Sequence, residues 1–89
     1  MFRAHVIFEG KVQGVYFRAF VKKNADEMGI SGWVRNLPDG SVEAIFEGEK
    51  DEIERLIEIC ITQHPRAIVR NFKIKWEEPE NLKGFDIRY

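Results

Sequence analysis

The segment Leu37-Pro38-Asp39-Gly40 constrains this chain most, because Asp-Gly between two alternating runs is the strongest short-range hairpin signal. Residues 30–36 and 41–47 flank it, so two antiparallel neighbours must lie in the middle of the chain. In the second run Val42, Ala44 and Phe46 alternate with Ser41, Glu43, Ile45 and Glu47, which predicts one apolar face and one mostly wet face. On both sides of the hairpin the apolar period changes from two to helical. Upstream, Phe17, Phe20, Val21, Ala25 and Met28 recur at helical spacing, beginning at Tyr16 or Phe17 and ending against Gly29 as C-cap. Downstream, Ile53, Leu56, Ile57, Cys60 and Ile61 form the stripe of an amphipathic helix with Glu49, Asp51 and Glu52 at its start and Pro65 as its stop. Each helix has a further strand beside it in sequence. Residues 3–9 place Ala4, Val6 and Phe8 on one side, and Phe72, Ile74 and Trp76 alternate with Lys73, Lys75 and Glu77. Phe85, Ile87 and Tyr89, after Gly84, predict a short final segment along a sheet edge.

The order is β-α-β-β-α-β with a short terminal strand. Two helices on one face of an antiparallel sheet make the ferredoxin-like arrangement, an α+β two-layer sandwich. Eighty-nine residues give one domain, residues 1–89, without repeats or a linker. The lone Cys60 cannot form an internal disulfide, no apolar run approaches the ~20 residues that span a bilayer, and the N-terminus lacks a signal peptide's apolar stretch. A cytoplasmic monomer with no membrane partner is the expectation. A net charge of −1 argues against bulk nucleic-acid binding. The distribution says more: residues 43–58 carry a local −5, and residues 9–38 a local +2. An anion site belongs in the first third.

Two segments have the makings of such a site. Residues 10–18, Gly-Lys-Val-Gln-Gly-Val-Tyr-Phe-Arg, join the first strand to the first helix. A loop there aims backbone N–H groups and a helix N-terminus at one point, which is an anion pocket made of main chain. Arg18 adds a fork able to grip two phosphate oxygens. A surface arginine tolerating the helix dipole is the plainer reading on spacing alone. The loop is neither a Walker A nor a G-x-G-x-x-G sequence. The second segment is Gly32-Trp33-Val34-Arg35-Asn36. Asn36 shares the covered face with Val34, and its amide can accept and donate together, as holding a water requires. An asparagine satisfying backbone before a turn is the competing reading.

Taken together, Gly10-x-Val12-Gln13-Gly14-Val15-x-Phe17-Arg18, Gly32-Trp33-Val34-x-Asn36 and Asp39-Gly40-x-Val42 resemble the acylphosphatase family over the whole chain, with Glu47-Gly48 and Gly84-Phe85 continuing the likeness. The resemblance implies metal-independent, cofactor-free hydrolysis of a small-molecule acyl phosphate to a carboxylate and inorganic phosphate. It implies that the amides of Gln13, Gly14, Val15, Tyr16, Phe17 and Arg18 cradle the phosphate. Arg18 then binds its oxygens, and Asn36 positions the attacking water. Neither motif holds a carboxylate, His or Cys, so the substrate's own phosphate oxygen is the expected proton acceptor. Two departures stand out. Tyr16 replaces a small residue, narrowing the pocket mouth, where rate or substrate preference would shift. Gln63-His64-Pro65 replaces a Gly-Pro step, in a region expected to be remote from the motif.

Other constellations carry less. Cys60 and His64 are spaced as two ligands on one helical face, but Cys60 lies on the apolar stripe and His5 is the only other histidine. Arg66, Arg70, Lys73 and Lys75 fit the solvated face of a strand. Lys83-Gly84-Phe85-Asp86-Ile87-Arg88-Tyr89 echoes an RNA-recognition stretch, yet Asp86 and Ile87 break the pattern and it falls on the last strand. A domain that binds a phosphorylated partner without turning it over is the nearer alternative.

Overall fold

The computed structural model describes all residues from Met1 to Tyr89. The chain forms β1 (Phe2–Lys11), α1 (Phe17–Met28), β2 (Ser31–Asn36), β3 (Val42–Gly48), α2 (Lys50–Thr62), β4 (Ile68–Glu77) and β5 (Phe85–Arg88). The sheet order is β4-β1-β3-β2-β5. β1 pairs antiparallel with β3 and β4, and β3 pairs antiparallel with β2. β5, however, lies parallel to β2, with Ile87 opposite Val34. The sheet is therefore mixed, not wholly antiparallel. Residues 78–84 carry the chain from one edge of the sheet to the other, and a strand arriving from β4 at that end runs alongside β2.

The alternation on β1, β2 and β3 does what its period demands. Ala4, Val6, Phe8, Val34, Val42, Ala44 and Phe46 all point into one core with Val21 and Ala25 of α1 and Ile53, Leu56 and Cys60 of α2. α1 ends at Gly29, whose left-handed φ of 69° lets its N–H and that of Ile30 return to the last-turn carbonyls. The hairpin closes through Leu37 N–H to Ser41 O at 2.9 Å, and Asp39 accepts from both the N–H and the hydroxyl of Ser41. Those two bonds hold the Asp39 carboxyl below the usual carboxylate range.

The expected wet face of β3 is not wet. Ser41, Ile45 and Glu47 are buried, and only Glu43 is partly open. β3 is the central strand, so neighbours flank it on both sides. Residues 78–84 also reach its second face: Glu47 accepts N–H bonds from Glu80 and Leu82 at 2.7 and 2.8 Å and a 2.9 Å bond from Arg3. By contrast β4 is an edge strand, and Phe72, Ile74 and Trp76 stay substantially exposed on it. Arg66, Arg70, Lys73 and Lys75 are solvated, as the alternation implied. No helix is long and apolar enough to cross a membrane.

Candidate active site

The loop between β1 and α1 is pinned at both ends. Val12 and Phe17 are each buried in the core, so residues 13–16 are strung between two fixed side chains. A bulge at Glu9 and Gly10 redirects β1 as it approaches the loop, and a Cβ on Gly10 would run into Ile68 O and Arg70 N of β4. Gly14 has φ 76° and Tyr16 φ 62°, with Val15 between them on the ordinary side of the map. Alternating hands turn successive N–H groups towards one concavity, the geometry of an anion nest. It opens at the N-terminus of α1, where no side chain caps the helix. The N–H groups of residues 14–19 donate to no backbone carbonyl, so they stand free for a ligand.

Arg18 stands in the first turn of α1, half-buried. Its Nη1 donates to Arg88 O at 3.3 Å, and its guanidinium carbon lies 4.8 Å from the centre of the Tyr89 ring. It has no carboxylate partner within salt-bridge distance. Asn36 closes β2 on the other side. Its Oδ1 is buried and has no hydrogen-bond partner. An unpaired buried amide oxygen is costly unless a ligand or water completes it.

These groups share one cavity of about 440 Å³. Gly14, Tyr16, Phe17, Arg18 and Asn36 line it, with Val12 and Ala19 beside them and Ile87 and Tyr89 across from them. No lining residue has a carboxylate, imidazole or thiol side chain. Of the residues expected at the site, Gln13 and Val15 turn their side chains elsewhere. Val15 packs against the core, and Gln13 Nε2 donates to Leu37 O and Ser41 O, both at 2.8 Å. Only their main-chain N–H groups remain to face a ligand. Ile87 and Tyr89 escaped sequence reasoning as site residues. Their alternation predicted a strand, but the parallel pairing that carries β5 alongside α1 has no local signature.

One expectation about the surroundings is overturned. Residues 63–65 are not remote from the loop, because the His64 ring lies edge-on to Phe17 at 5.9 Å and to Phe20 at 5.0 Å. His64 Nδ1 accepts the N–H groups of Arg66 and Ala67, which bends the chain after α2 so that the ring reaches α1. Cys60 is buried and its thiol is pushed up to about 12 by burial, so it stays protonated and inert. Phe85 stacks on Phe46 inside the core, leaving neither ring free to receive a base.

Comparison with known proteins identifies the family. The family model described as Acylphosphatase matches residues 4–87. A curated acylphosphatase of Haloarcula marismortui is 46% identical over 98% of this chain and 96% of its own length. The crystal structure of acylphosphatase from Bacillus subtilis superposes with a TM-score of 0.96 at 33% identity, covering all of both chains. The structure of an acylphosphatase from Coxiella burnetii gives 0.92 at 40% identity, over 98% of this chain and 92% of that one.

Proposed function

The chain belongs to the acylphosphatase family and is an enzyme of that activity, and from this premise we propose how its residues divide the work. The loop N–H groups and Arg18 bind the phosphoryl oxygens. Asn36 holds the water that attacks phosphorus. The observation that carries this reading is that Asn36 lines the same cavity as the loop and Arg18 and has an Oδ1 without a hydrogen-bond partner. An amide on that wall with its acceptor unengaged can take a water proton once it turns to the cavity, and a water so held presents its lone pair to the phosphoryl group.

The chemistry asks for little more. As the new P–O bond forms, the bond to the acyl oxygen breaks and a carboxylate departs. A carboxylate is a good leaving group and needs no protonation. Charge on the equatorial oxygens is met by N–H groups and guanidinium already in place. With no carboxylate or imidazole side chain lining the cavity to act as general base, the water's proton passes to a phosphate oxygen of the substrate. The alternative of binding without turnover is disfavoured by the same orphaned acceptor, which a phosphate-binding site alone would not require.

The test is to follow hydrolysis of benzoyl phosphate in the ultraviolet, in the wild type and in a folded Asn36→Ala protein. We expect kcat to fall at least about a hundredfold, since a misplaced nucleophile forfeits the advantage of positioning. Inorganic phosphate, as competitive inhibitor, should still bind the variant almost as well as wild type. A loss of phosphate affinity of about tenfold or more would make Asn36 a phosphate ligand instead.

A further inference from the structure

The cavity is too large for phosphate alone. At about 440 Å³ it falls in the range of sites that enclose small organic ligands. The loop N–H groups, Arg18 and Asn36 account for its polar part. What remains is apolar: Val12, Phe17 and Ala19 lie beside the phosphate part, and Tyr16, Ile87 and Tyr89 form the rest.

Tyr16 has no explanation in stability. Its backbone is left-handed at φ 62°, a conformation that disfavours any residue bearing a Cβ. As the N-cap of α1 it makes no side-chain hydrogen bond, although Ser, Asp, Asn or Gly would serve there better. Its side chain gains little from burial, for the residue is 80% exposed. An aromatic ring kept in a strained, wet position at a cavity mouth points to a ligand. Tyr89 is likewise exposed on the far side of the mouth, with the Arg18 guanidinium against its ring. Apart from Arg18, no charged side chain lines the cavity to pair with a second charge on a substrate.

We propose that Tyr16, together with Ile87 and Tyr89, is the acyl-side subsite, and that it selects acyl phosphates whose acyl group is flat, apolar and uncharged, aromatic ones foremost. The proposal rests on the reading of the loop and Arg18 as the phosphate site. An aryl ring buries area against the Tyr16 face and gains stacking that an acetyl group cannot. An acyl group bearing a carboxylate or a second phosphate loses hydration there and finds no counter-charge.

The experiment compares kcat/KM for benzoyl phosphate and acetyl phosphate in the wild type, Tyr16→Gly and Tyr16→Phe. Both substrates present the same phosphate, so any disturbance of the loop cancels in the ratio. Wild type should favour benzoyl phosphate by about tenfold or more, and Tyr16→Gly should cut that preference about fivefold through KM for the aryl substrate. Tyr16→Phe should keep the preference within about twofold, because the ring face and not the hydroxyl makes the contact. Glycine suits the left-handed backbone, so that variant should fold and melt no lower than wild type. An unchanged ratio in Tyr16→Gly overturns the proposal, as does a Phe variant that loses as much as Gly. If wild type turns over neither substrate, the hydrolytic reading itself fails and takes the subsite with it.

Discussion

Arg18 carries a positive charge where the α1 dipole is already positive, an arrangement that destabilises a helix end by roughly 0.3–1 kcal/mol. No carboxylate relieves it. The guanidinium rests instead on a ring and one carbonyl, Tyr89 and Arg88, with most of its donors unengaged. That is a poor arrangement for an empty protein and a strong one for a protein holding a phosphate dianion. The fork matters as much as the charge. Lysine would keep the charge but present a point donor, so Arg18→Lys should be nearly as damaging as Arg18→Ala. Charge-assisted hydrogen bonds contribute about 1.5–3 kcal/mol each, so either variant should lose about ten- to a hundredfold in kcat/KM. A lysine variant retaining more than about half of the wild-type value would show that charge alone suffices. This residue was legible because a specific spacing of glycines, Phe17 and Arg18 names it. Tyr89 was not, because its part comes only from the strand that delivers it.

At the scale of elements, the proposed site is split between the β1–α1 loop and the end of β2, and something must hold the halves in register. Gln13 does so. Its Nε2 donates to two carbonyls of the hairpin, Leu37 O and Ser41 O, so the β1–α1 loop is tied directly to the turn that follows Asn36. Gln13→Ala should therefore lower kcat more than it weakens phosphate binding, because the water and the phosphoryl group drift apart while each keeps its own ligands. A shift of about 1 Å can cost a hundredfold, so a loss of about tenfold in kcat is expected. Phosphate inhibition and kcat measured on the same variant decide it; a fall in phosphate affinity equal to the fall in kcat would make Gln13 part of the phosphate cradle alone. Strand and helix periods made the elements themselves readable, and the hairpin was written in Asp39-Gly40. Strand order was not. A period of two shows that Glu43, Ile45 and Glu47 share a face, but not that β3 sits at the centre of the sheet, or that residues 78–84 come back to cover Glu47. His64 was misplaced for the same reason, since its contact with Phe17 depends on how α2 lies against α1.

Across the whole molecule, one buried ion pair ties the distant parts together. Arg3 of β1 bonds Glu47 of β3 and Glu77 of β4, and Glu47 also takes the N–H groups of Glu80 and Leu82. The segment so held leads into β5, and β5 brings Ile87 and Tyr89 to the cavity. Burial works against charge on Glu47, but the two N–H groups and the Arg3 guanidinium outweigh it and hold the carboxyl below its ordinary value of 4.5. The folded chain thus binds a proton at Glu47 more weakly than the unfolded chain does. The resulting stability is fully present above the unfolded value and is lost as pH falls through the folded one. Glu43, held low against burial by His5 and Arg35, adds to the same acid sensitivity. Glu47→Gln removes the charge and turns an amide NH2 towards donors. Breaking a buried pair costs about 3–5 kcal/mol, and Arg3 keeps Glu77 and Glu80 nearby, so a drop in Tm of about 10 °C or more at neutral pH is expected. The variant should also lose less stability than wild type between neutral pH and pH values below about 4.5, because one acid-sensitive group has gone. Melting curves of both proteins across that range test the assignment. Parallel curves, with the variant lower by the same amount at every pH, would mean that Glu47 acts through packing and hydrogen bonds alone, and that the acid sensitivity resides in Glu43 and the remaining carboxylates.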